Sequence, residues 1–225
     1  MGESPTHIGI ILDGNRRWAK RHLLEPTKGH AAGAKLLEDL FQWAIDLKIK
    51  ELTLYTLSIQ NLTRDKAEVS FLFTLLHDEI GRLLKDERIE KEQVRIRFTG
   101  RTHLLPEHLQ ERIREVETKT AAYDRVAVNF AVCYGGREEI VDAVKKLVKD
   151  GVEVTEESIS ERLWVTGEPD LVIRTGGDRR TSNFLVWQSI YSEWVFLEKT
   201  WPEFTKEDLE NAIADFKGRE RRFGK

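Results

Sequence analysis

Short apolar runs alternate with longer helical patterns along this chain. The runs that predict strands lie at residues 7–12, 51–58, 94–99, 126–134 and 171–174, with a further short one at 194–197. Helical patterns lie between them, at residues 29–47, 66–88, 103–122, 137–149, 156–164 and 206–217. Because strands that alternate with helices favour parallel pairing, the sequence predicts an α/β fold with a mostly parallel sheet of about six strands, flanked by helices.

Composition is that of a soluble globular protein. No repeat, low-complexity segment or linker interrupts the pattern, so we expect one domain over residues 1–225. The net charge of −3 argues against nucleic acid as a general partner. The single cysteine, Cys133, excludes an internal disulfide, and we find neither a signal peptide nor an apolar run of membrane-spanning length. These features together favour a cytoplasmic location.

Polar segments follow three of the predicted strands. They are Asp13-Gly14-Asn15, residues 58–64 and residues 174–183. In parallel α/β sheets the ligand usually binds beyond the carboxyl ends of the strands. We therefore expect these segments to gather at one edge of the sheet and to bring a carboxylate, small polar residues and several arginines together.

The motif LDGNRRWAK predicts a turn from the first strand into a helix. Gly14 would let the backbone approach a ligand closely, and a helix N-terminus offers N–H donors to an anion. Arg16 and Arg17 add donors suited to phosphate oxygens. Asp13 would repel phosphate unless Mg²⁺ lay between them, and Mg²⁺ favours one or two carboxylates together with ligand phosphates. A capping turn with solvated arginines is the alternative interpretation.

The motif IRTGGDRRTSNF, at residues 173–184, is the second candidate anion site. It follows a strand end at Arg174 with two glycines, two further arginines and a hydroxyl residue. Such a combination at a strand end suits an oxyanion. A surface turn is the alternative, but two such sites at one sheet edge favour two phosphate-bearing substrates.

Other candidate residues are less distinctive. Ser58 could equally be an ordinary cap, and Arg64 and Glu68 are four residues apart and could simply pair on a helix. His30 opens a helix, where a structural role is common. The terminal GRERRFGK is either a solvated basic tail or a segment that binds an anion.

The helices predicted at residues 29–47 and 66–88 carry apolar surfaces wider than one core-facing stripe needs. One interpretation is double burial, under the sheet and against a partner subunit. The other is an apolar cavity for a long hydrophobic ligand.

The motifs together resemble the cis-prenyltransferase family, the undecaprenyl diphosphate synthases and their relatives. The similarity runs in order through HIGIILDGNRRWAK, GHAAG, LTLYTLSIQNLTRDKAEV, CYGGREEIVDA, DLVIRTGGDRRTSNFLVWQSIYSEW, WPEFT and the terminal RRFG. The Arg16-Arg17 pair and the terminal Arg-x-Gly, in the tail at residues 218–225, resemble the archaeal and eukaryotic branch. Pro26 and Leu62 depart from the bacterial pattern, which bears on primer preference.

The resemblance implies a homodimer with a hydrophobic tunnel between sheet and helices. It implies Mg²⁺-dependent condensation of isopentenyl diphosphate onto an allylic diphosphate, farnesyl or geranylgeranyl, with each addition making a Z double bond. The product would be the precursor of a glycosyl carrier lipid. Its insolubility suggests peripheral contact with a membrane.

The resemblance also assigns roles by position. Asp13 is the essential carboxylate of the magnesium site, Glu193 completes that site, and Asn61 matches the proposed proton acceptor. The residues that it assigns to substrate binding are Gly14, Asn15, Arg16, Arg17, Trp18, His30, Ser58, Ile59, Gln60, Arg64, Arg174, Arg180, Thr181, Ser182, Arg222 and Gly224. Of these, Arg174, Arg180 and Ser182 would hold isopentenyl diphosphate.

Two other classes of function remain open from the sequence. A non-catalytic partner subunit of the same family would lack the catalytic aspartate and the anion-site residues, which are present here. A generic diphosphate- or nucleotide-binding module would leave the wide apolar helices unexplained. The sequence also lacks the GxxxxGK[ST] and GxGxxG motifs of common nucleotide sites.

Overall fold

The strands of the computed structural model, which describes residues 3–219, lie close to their predicted positions. They are β1 (His7–Ile11), β2 (Glu51–Ser58), β3 (Val94–Thr99), β4 (Val126–Tyr134), β5 (Leu171–Arg174) and β6 (Glu193–Phe196). All pairings between neighbouring strands are parallel, and the strand order is β3-β4-β2-β1-β5-β6. The predicted fold class is therefore confirmed.

Helices follow most of the strands. They are α1 (Asn15–Arg21), α2 (Pro26–Asp46), α3 (Lys66–Leu83), α4 (Glu87–Lys91), α5 (Glu107–Thr120), α6 (Gly136–Asp150), α7 (Glu156–Arg162) and α8 (Lys206–Gly218). Short 3₁₀ helices lie at Ile59–Thr63, Thr102–Leu104 and Trp201–Glu203. No helix in residues 3–219 is both long and apolar enough to cross a bilayer.

The helix predicted at residues 66–88 is too long. Helix α3 ends at Leu83, and Asp86 begins a separate short helix by accepting a hydrogen bond from the backbone N–H of Arg88 at 2.9 Å. An aspartate that caps its own next turn competes with continuation of the preceding helix.

The sheet is buried on both faces. On one face, Ile8, Ile10, Leu52 and Leu54 belong to the main hydrophobic core, which also contains residues of α2, α3, α5 and α8. A smaller cluster, in which Tyr134 and Phe184 are fully buried, covers part of the other face. Every residue of β1 is buried. The central strand is thus a rigid base for the loop that follows its carboxyl end.

Candidate active site

A cleft of about 1150 Å³ opens at the carboxyl edge of the sheet. All three polar segments that follow strands contribute to it, so their predicted gathering at one edge is confirmed. The predicted site residues that line the cleft are Asp13, Gly14, Asn15, Arg16, Arg17, His30, Ser58, Gln60, Asn61, Arg64, Arg174 and Ser182.

The loop after β1 holds Asp13 in one position. The hydroxyl of Thr175 accepts from the Asp13 N–H at 3.1 Å and donates to the Asp13 carbonyl oxygen at 2.8 Å. The backbone N–H of Trp201 donates to the same carbonyl at 2.8 Å. Gly14 has φ of +104°, and a Cβ there would lie 2.7 Å from Thr200, so only glycine fits.

The Asp13 carboxylate lies between two guanidinium groups. One oxygen accepts from Arg174 at 2.8 Å, and the other lies 3.1 Å from the Arg17 guanidinium. Burial alone would raise the pKa of Asp13, but the hydrogen bond from Arg174 and the charge of Arg17 outweigh it and hold the pKa below its usual value. Asp13 is therefore ionised at neutral pH.

A second carboxylate, Asp178, bridges the same arginines. It lies 3.2 Å from Arg17 and 3.7 Å from Arg174, and Arg180 donates to it at 2.9 Å. The sequence motifs did not indicate a role for Asp178. The two carboxylates thus hold three guanidinium groups together, which reduces the repulsion among the arginines.

Arg174 is prepared for an anion. Its side chain is only 3% exposed, and its Nη1 donates to the Ser182 hydroxyl at 2.6 Å and to the Arg180 carbonyl oxygen. Its Nε is buried and has no hydrogen-bond partner among the described residues. Because a buried, unpaired donor is costly, an anionic oxygen bound here would satisfy it.

The opposite side of the cleft is organised by Glu68 on α3. Its Oε1 accepts from Arg64 at 2.9 Å and from His30 Nε2 at 3.2 Å, and Arg16 lies 4.0 Å away. The pairing of Arg64 with Glu68 that the sequence suggested is present, but the carboxylate also positions His30. Burial lowers the pKa of His30 more than the Glu68 carboxylate raises it, so His30 is mostly neutral at pH 7.

Ser58 and Asn61 cap each other. The Ser58 hydroxyl accepts from the Asn61 N–H at 3.1 Å, and the Asn61 side-chain oxygen accepts from the Ser58 N–H at 3.1 Å. Ser58 is thus a helix cap, as the alternative interpretation had it. Because the Asn61 oxygen is already engaged, this arrangement offers a ligand the Asn61 amide N–H groups, and the assigned role as proton acceptor stays a prediction.

Some of the assigned substrate-binding residues do not line the cleft. Trp18, on α1, packs against His22 with ring centroids 4.4 Å apart and the ring planes tilted by 31°, and Ile59 packs against the main core. Arg180 and Thr181 are exposed at the cleft margin. Arg222 and Gly224 lie outside the described residues.

The structure does not bring Glu193 to Asp13 within one chain. Glu193 is the first residue of β6 and lies opposite Leu171, the first residue of β5, whereas Asp13 follows the last residue of β1. Because the strands are parallel, Glu193 lies at the amino ends of the strands and Asp13 lies beyond their carboxyl ends. Glu193 instead forms an ion pair with Arg219 at 2.6 Å. A magnesium site shared by Asp13 and Glu193 of the same chain is therefore excluded.

The described residues contain no cluster of three His, Cys, Asp or Glu side chains suited to a metal. This fits Mg²⁺ that arrives with a ligand, because such ions are held by one or two carboxylates, ligand phosphates and water. Asp13, ionised and lining the cleft, is the residue that would hold it.

An apolar cavity adjoins the cleft, and Leu12, His30, Thr56 and Leu72 line both. The cavity lies between α2, α3 and the sheet, and its further lining includes Leu37, Leu75, Leu76, Glu79, Ile80, Leu83, Phe98 and Phe130. In α3, only Ile80 and Leu83 are buried. The wide apolar surfaces of these two helices therefore face an apolar cavity, as the second interpretation of the sequence required, but its volume of about 100 Å³ is too small in this structure for a long ligand.

A cationic cleft joined to an apolar cavity suits a ligand with an anionic head and an apolar tail, the class of ligand that prenyltransferases handle. The chain belongs to the undecaprenyl diphosphate synthase family: the profile of the family described as "Putative undecaprenyl diphosphate synthase" matches residues 11–224. The resemblance drawn from the sequence motifs is thereby confirmed.

Individual relatives agree with this assignment. The chain is 44% identical to the tritrans,polycis-undecaprenyl-diphosphate synthase (geranylgeranyl-diphosphate specific) of Methanopyrus kandleri, over 100% of this chain and 86% of that protein. It is 45% identical to the isoprenyl transferase of Thermotoga maritima, over 98% of this chain and 97% of that protein.

Solved structures have the same fold. The lavandulyl diphosphate synthase of Lavandula x intermedia, in complex with dimethylallyl diphosphate, superposes with a TM-score of 0.94 at 35% identity and 99% coverage of both chains. A probable undecaprenyl diphosphate synthase of Campylobacter jejuni gives a TM-score of 0.86 at 35% identity, covering 100% of both chains.

The burial of His30 predicts a pH dependence of stability. Because the pKa of His30 is lower in the folded protein, the neutral ring contributes to the free energy of unfolding. This contribution is complete above the pKa of the unfolded state, about 6.5, and is lost as the pH falls towards the pKa of the folded state. His30→Gln should reduce the rise in unfolding free energy between pH 5 and pH 7, by at most about 1.4 kcal/mol per pH unit. Urea unfolding followed by circular dichroism at several pH values measures this slope.

His7 offers a matched comparison, because burial also lowers its pKa and it lies at the opposite edge of the sheet. His7→Gln should reduce the slope independently, and the double variant should show the sum. An unchanged slope in His30→Gln would contradict the assignment.

Proposed function

We propose that this protein is a Z-polyprenyl diphosphate synthase that condenses isopentenyl diphosphate repeatedly onto an allylic diphosphate. The observation that carries the proposal is the junction of a cleft, lined by five cations and two carboxylates, with an apolar cavity between α2 and α3. The named activities of the relatives support the same reaction class. The proposed primer is farnesyl or geranylgeranyl diphosphate, and the proposed product is the precursor of a glycosyl carrier lipid.

The two sides of the cleft divide the substrates between them. We assign the allylic diphosphate to the loop after β1 and to Arg16, Arg17, His30 and Arg64, because Asn15 of that loop and His30 line both the cleft and the apolar cavity. Isopentenyl diphosphate then belongs to Arg174 and Ser182, where the unpaired Arg174 Nε awaits an acceptor. Both diphosphates would thus lie beside Asp13.

In the reaction, the bond between C1 of the allylic substrate and its diphosphate oxygen breaks, and the diphosphate leaves with the electron pair. The double-bond electrons of isopentenyl diphosphate form the new bond to C1 from C4, and a proton leaves C2. Charge develops on the departing diphosphate, so fixed guanidinium groups around it lower the barrier. Mg²⁺ held by Asp13 would supply further neutralisation of the diphosphate when bound.

Rigid positioning makes these cations effective. Arg174 and Arg17 are held by Asp13 and Asp178 before any ligand binds, so little reorganisation accompanies the reaction. Neutral His30 donates one ring N–H to Glu68 in its Nε2 tautomer and remains in place beside Arg64. The apolar wall formed by Leu12 and Leu72 excludes water from the growing chain.

The role of Asp13 predicts the effect of its removal. Asp13→Ala should lower incorporation of radiolabelled isopentenyl diphosphate at least about a hundredfold, because one preorganised electrostatic group is typically worth that much. The assay uses Mg²⁺ with geranyl, farnesyl or geranylgeranyl diphosphate in parallel, and a matched reaction with EDTA. Asp78→Ala, which removes an exposed carboxylate on α3, is the control and should retain activity.

The outcomes separate the candidate functions. Near-normal incorporation by Asp13→Ala would contradict its assigned role. If the wild-type protein incorporates nothing with any primer, a non-catalytic partner subunit becomes the better description. Stabilisation of the protein by nucleotides in a thermal-shift screen, without incorporation, would favour a nucleotide-binding module.

The apolar cavity predicts how product length responds to its lining. Leu76→Trp would fill part of the cavity, so products should become shorter while use of the first isopentenyl diphosphate persists. Thin-layer separation of the dephosphorylated products measures their length. Leu104→Trp, at a 46% exposed site in the turn after β3, is the control and should leave product length unchanged. Unaltered product length in Leu76→Trp would place the growing chain elsewhere.

We also propose that the active form is a homodimer. Exposed apolar side chains lie on α6 and in the segment 186–191, including Val148 (67% exposed) and Ile190 (69% exposed). The first turn of α6 contacts this segment, because a Cβ on Gly136 would lie 2.7 Å from Val186. Glu193 follows this surface closely in sequence. Any part that Glu193 takes in the magnesium site would therefore act across the dimer interface.

Ile190→Glu tests this interface. A charge in a buried apolar contact should convert the dimer to a monomer, which size-exclusion chromatography with light scattering detects. Leu104→Glu introduces the same charge at another exposed site and should leave the mass unchanged. A dimer that persists in Ile190→Glu would contradict the proposed interface.

Arg222 and Gly224 would reach the partner subunit's isopentenyl diphosphate. We propose a cytoplasmic location with peripheral contact to a membrane, because the product is insoluble in water.

A further inference from the structure

Leu23, in the loop between α1 and α2, has a backbone conformation and an exposure that contacts within its own chain do not explain. Helix α1 ends in a Schellman motif, in which the Leu24 N–H donates to the Ala19 carbonyl at 2.9 Å and the Leu23 N–H donates to the Lys20 carbonyl at 3.2 Å. Leu23 stands where this motif usually has glycine, with φ of +56°. Its side chain is 95% exposed. It therefore carries backbone strain and gains no packing within the described chain.

The loop around Leu23 carries three cations and one exposed carboxylate, Glu25. We define the α1–α2 loop patch as Lys20, Arg21, Leu23, Leu24 and Lys28. Leu24 is 44% exposed beside Leu23. Lys20 and Lys28 are exposed and form no ion pair within residues 3–219, whereas Arg21 pairs with Glu203 at 2.7 Å. The patch thus joins exposed leucines to two cations, Lys20 and Lys28, that have no ion-pair partner within residues 3–219.

We propose that the α1–α2 loop patch binds the surface of an anionic bilayer, with Leu23 and Leu24 inserted among the headgroups. A bilayer surface offers anionic phosphates with apolar chains directly beneath them, which complements leucines surrounded by cations. A second copy of the chain fits less well, because a two-fold contact would place the same cations against one another.

The patch lies beside the cleft, which suggests a role in product release. This role rests on the proposed function. Lys20 and Leu24 also line the cleft, so the patch borders the cleft mouth. A polyprenyl diphosphate is itself an amphiphile with an anionic head. Docking at this surface would let the product pass from the cleft to the bilayer without exposing its chain to water.

Vesicle binding tests the proposal with the full-length protein and without substrate. Co-sedimentation is measured with vesicles of phosphatidylcholine alone and of phosphatidylcholine mixed with phosphatidylglycerol, at low and high salt. The wild-type protein should bind the mixed vesicles, and high salt should weaken the binding.

Three variants locate the surface. Leu23→Gly should weaken binding roughly fivefold, since it removes an inserted side chain, while the melting temperature stays constant or rises because glycine accepts a positive φ. Lys28→Gln should weaken binding to the mixed vesicles about fivefold. Leu104→Asn removes an exposed leucine from another loop and should bind like the wild type.

The outcomes are distinct. Failure of the wild-type protein to bind the mixed vesicles overturns the proposal, as does unchanged binding by Leu23→Gly. A change of oligomeric mass in Leu23→Gly by light scattering overturns it in favour of a protein contact. Incorporation by Leu23→Gly, assayed in detergent, should equal that of the wild type. A wild-type protein that binds vesicles but makes no polyprenyl product would refute the proposed function and leave the membrane surface standing.

Discussion

The placement of one carboxylate between two guanidinium groups governs the whole carboxyl edge of the sheet. Asp13 compensates the charges of Arg17 and Arg174, and Arg174 is almost completely buried. Without that compensation, the buried Arg174 would carry a large desolvation penalty. The same arrangement gives a ligand phosphate and its metal ion a defined place, because the cations are already fixed. Preorganisation and stability thus have one source here.

The compensation works only because the carboxylate cannot move. Thr175 and Trp201 hold the Asp13 backbone, and Trp201 is itself buried with its ring N–H donated to the Gly33 carbonyl oxygen at 2.7 Å. Gly33 lies on α2, the helix that also forms one wall of the apolar cavity. The polar cleft and the apolar cavity therefore share one support. A change in the packing of α2 would alter both the diphosphate site and the path of the chain.

Sequence patterns predicted the features that depend on neighbouring residues in the chain, namely the strands and the polar segments that follow them. Each strand ends near its predicted residue, and the rule that ligands bind at the carboxyl edge brought Asp13, Ser58 and Arg174 together. Contacts between distant segments could not be read in this way. Nothing around Asp178 showed that its carboxylate would bridge three arginines, and Glu68 had only its neighbour Arg64 as a visible partner. The helix break after Leu83 depends on a local cap. The apolar pattern continues past this residue, so it did not show that the cap competes with continuation of the helix.

The position of Glu193 is a second case in which the sequence pattern did not reveal how distant segments are arranged. The motif that contains it is local, but its distance from Asp13 depends on how β5 and β6 pair, since parallel pairing places strand starts and strand ends at opposite edges. A site motif names residues without saying which copy of the chain supplies each one. The cleft at the carboxyl ends of the strands brings five cations together, in a chain of net charge −3, and so favours anions there. A carboxylate from the other edge can reach those anions only across an interface between two chains, so any dimer that uses Glu193 must bring opposite edges of the two sheets together.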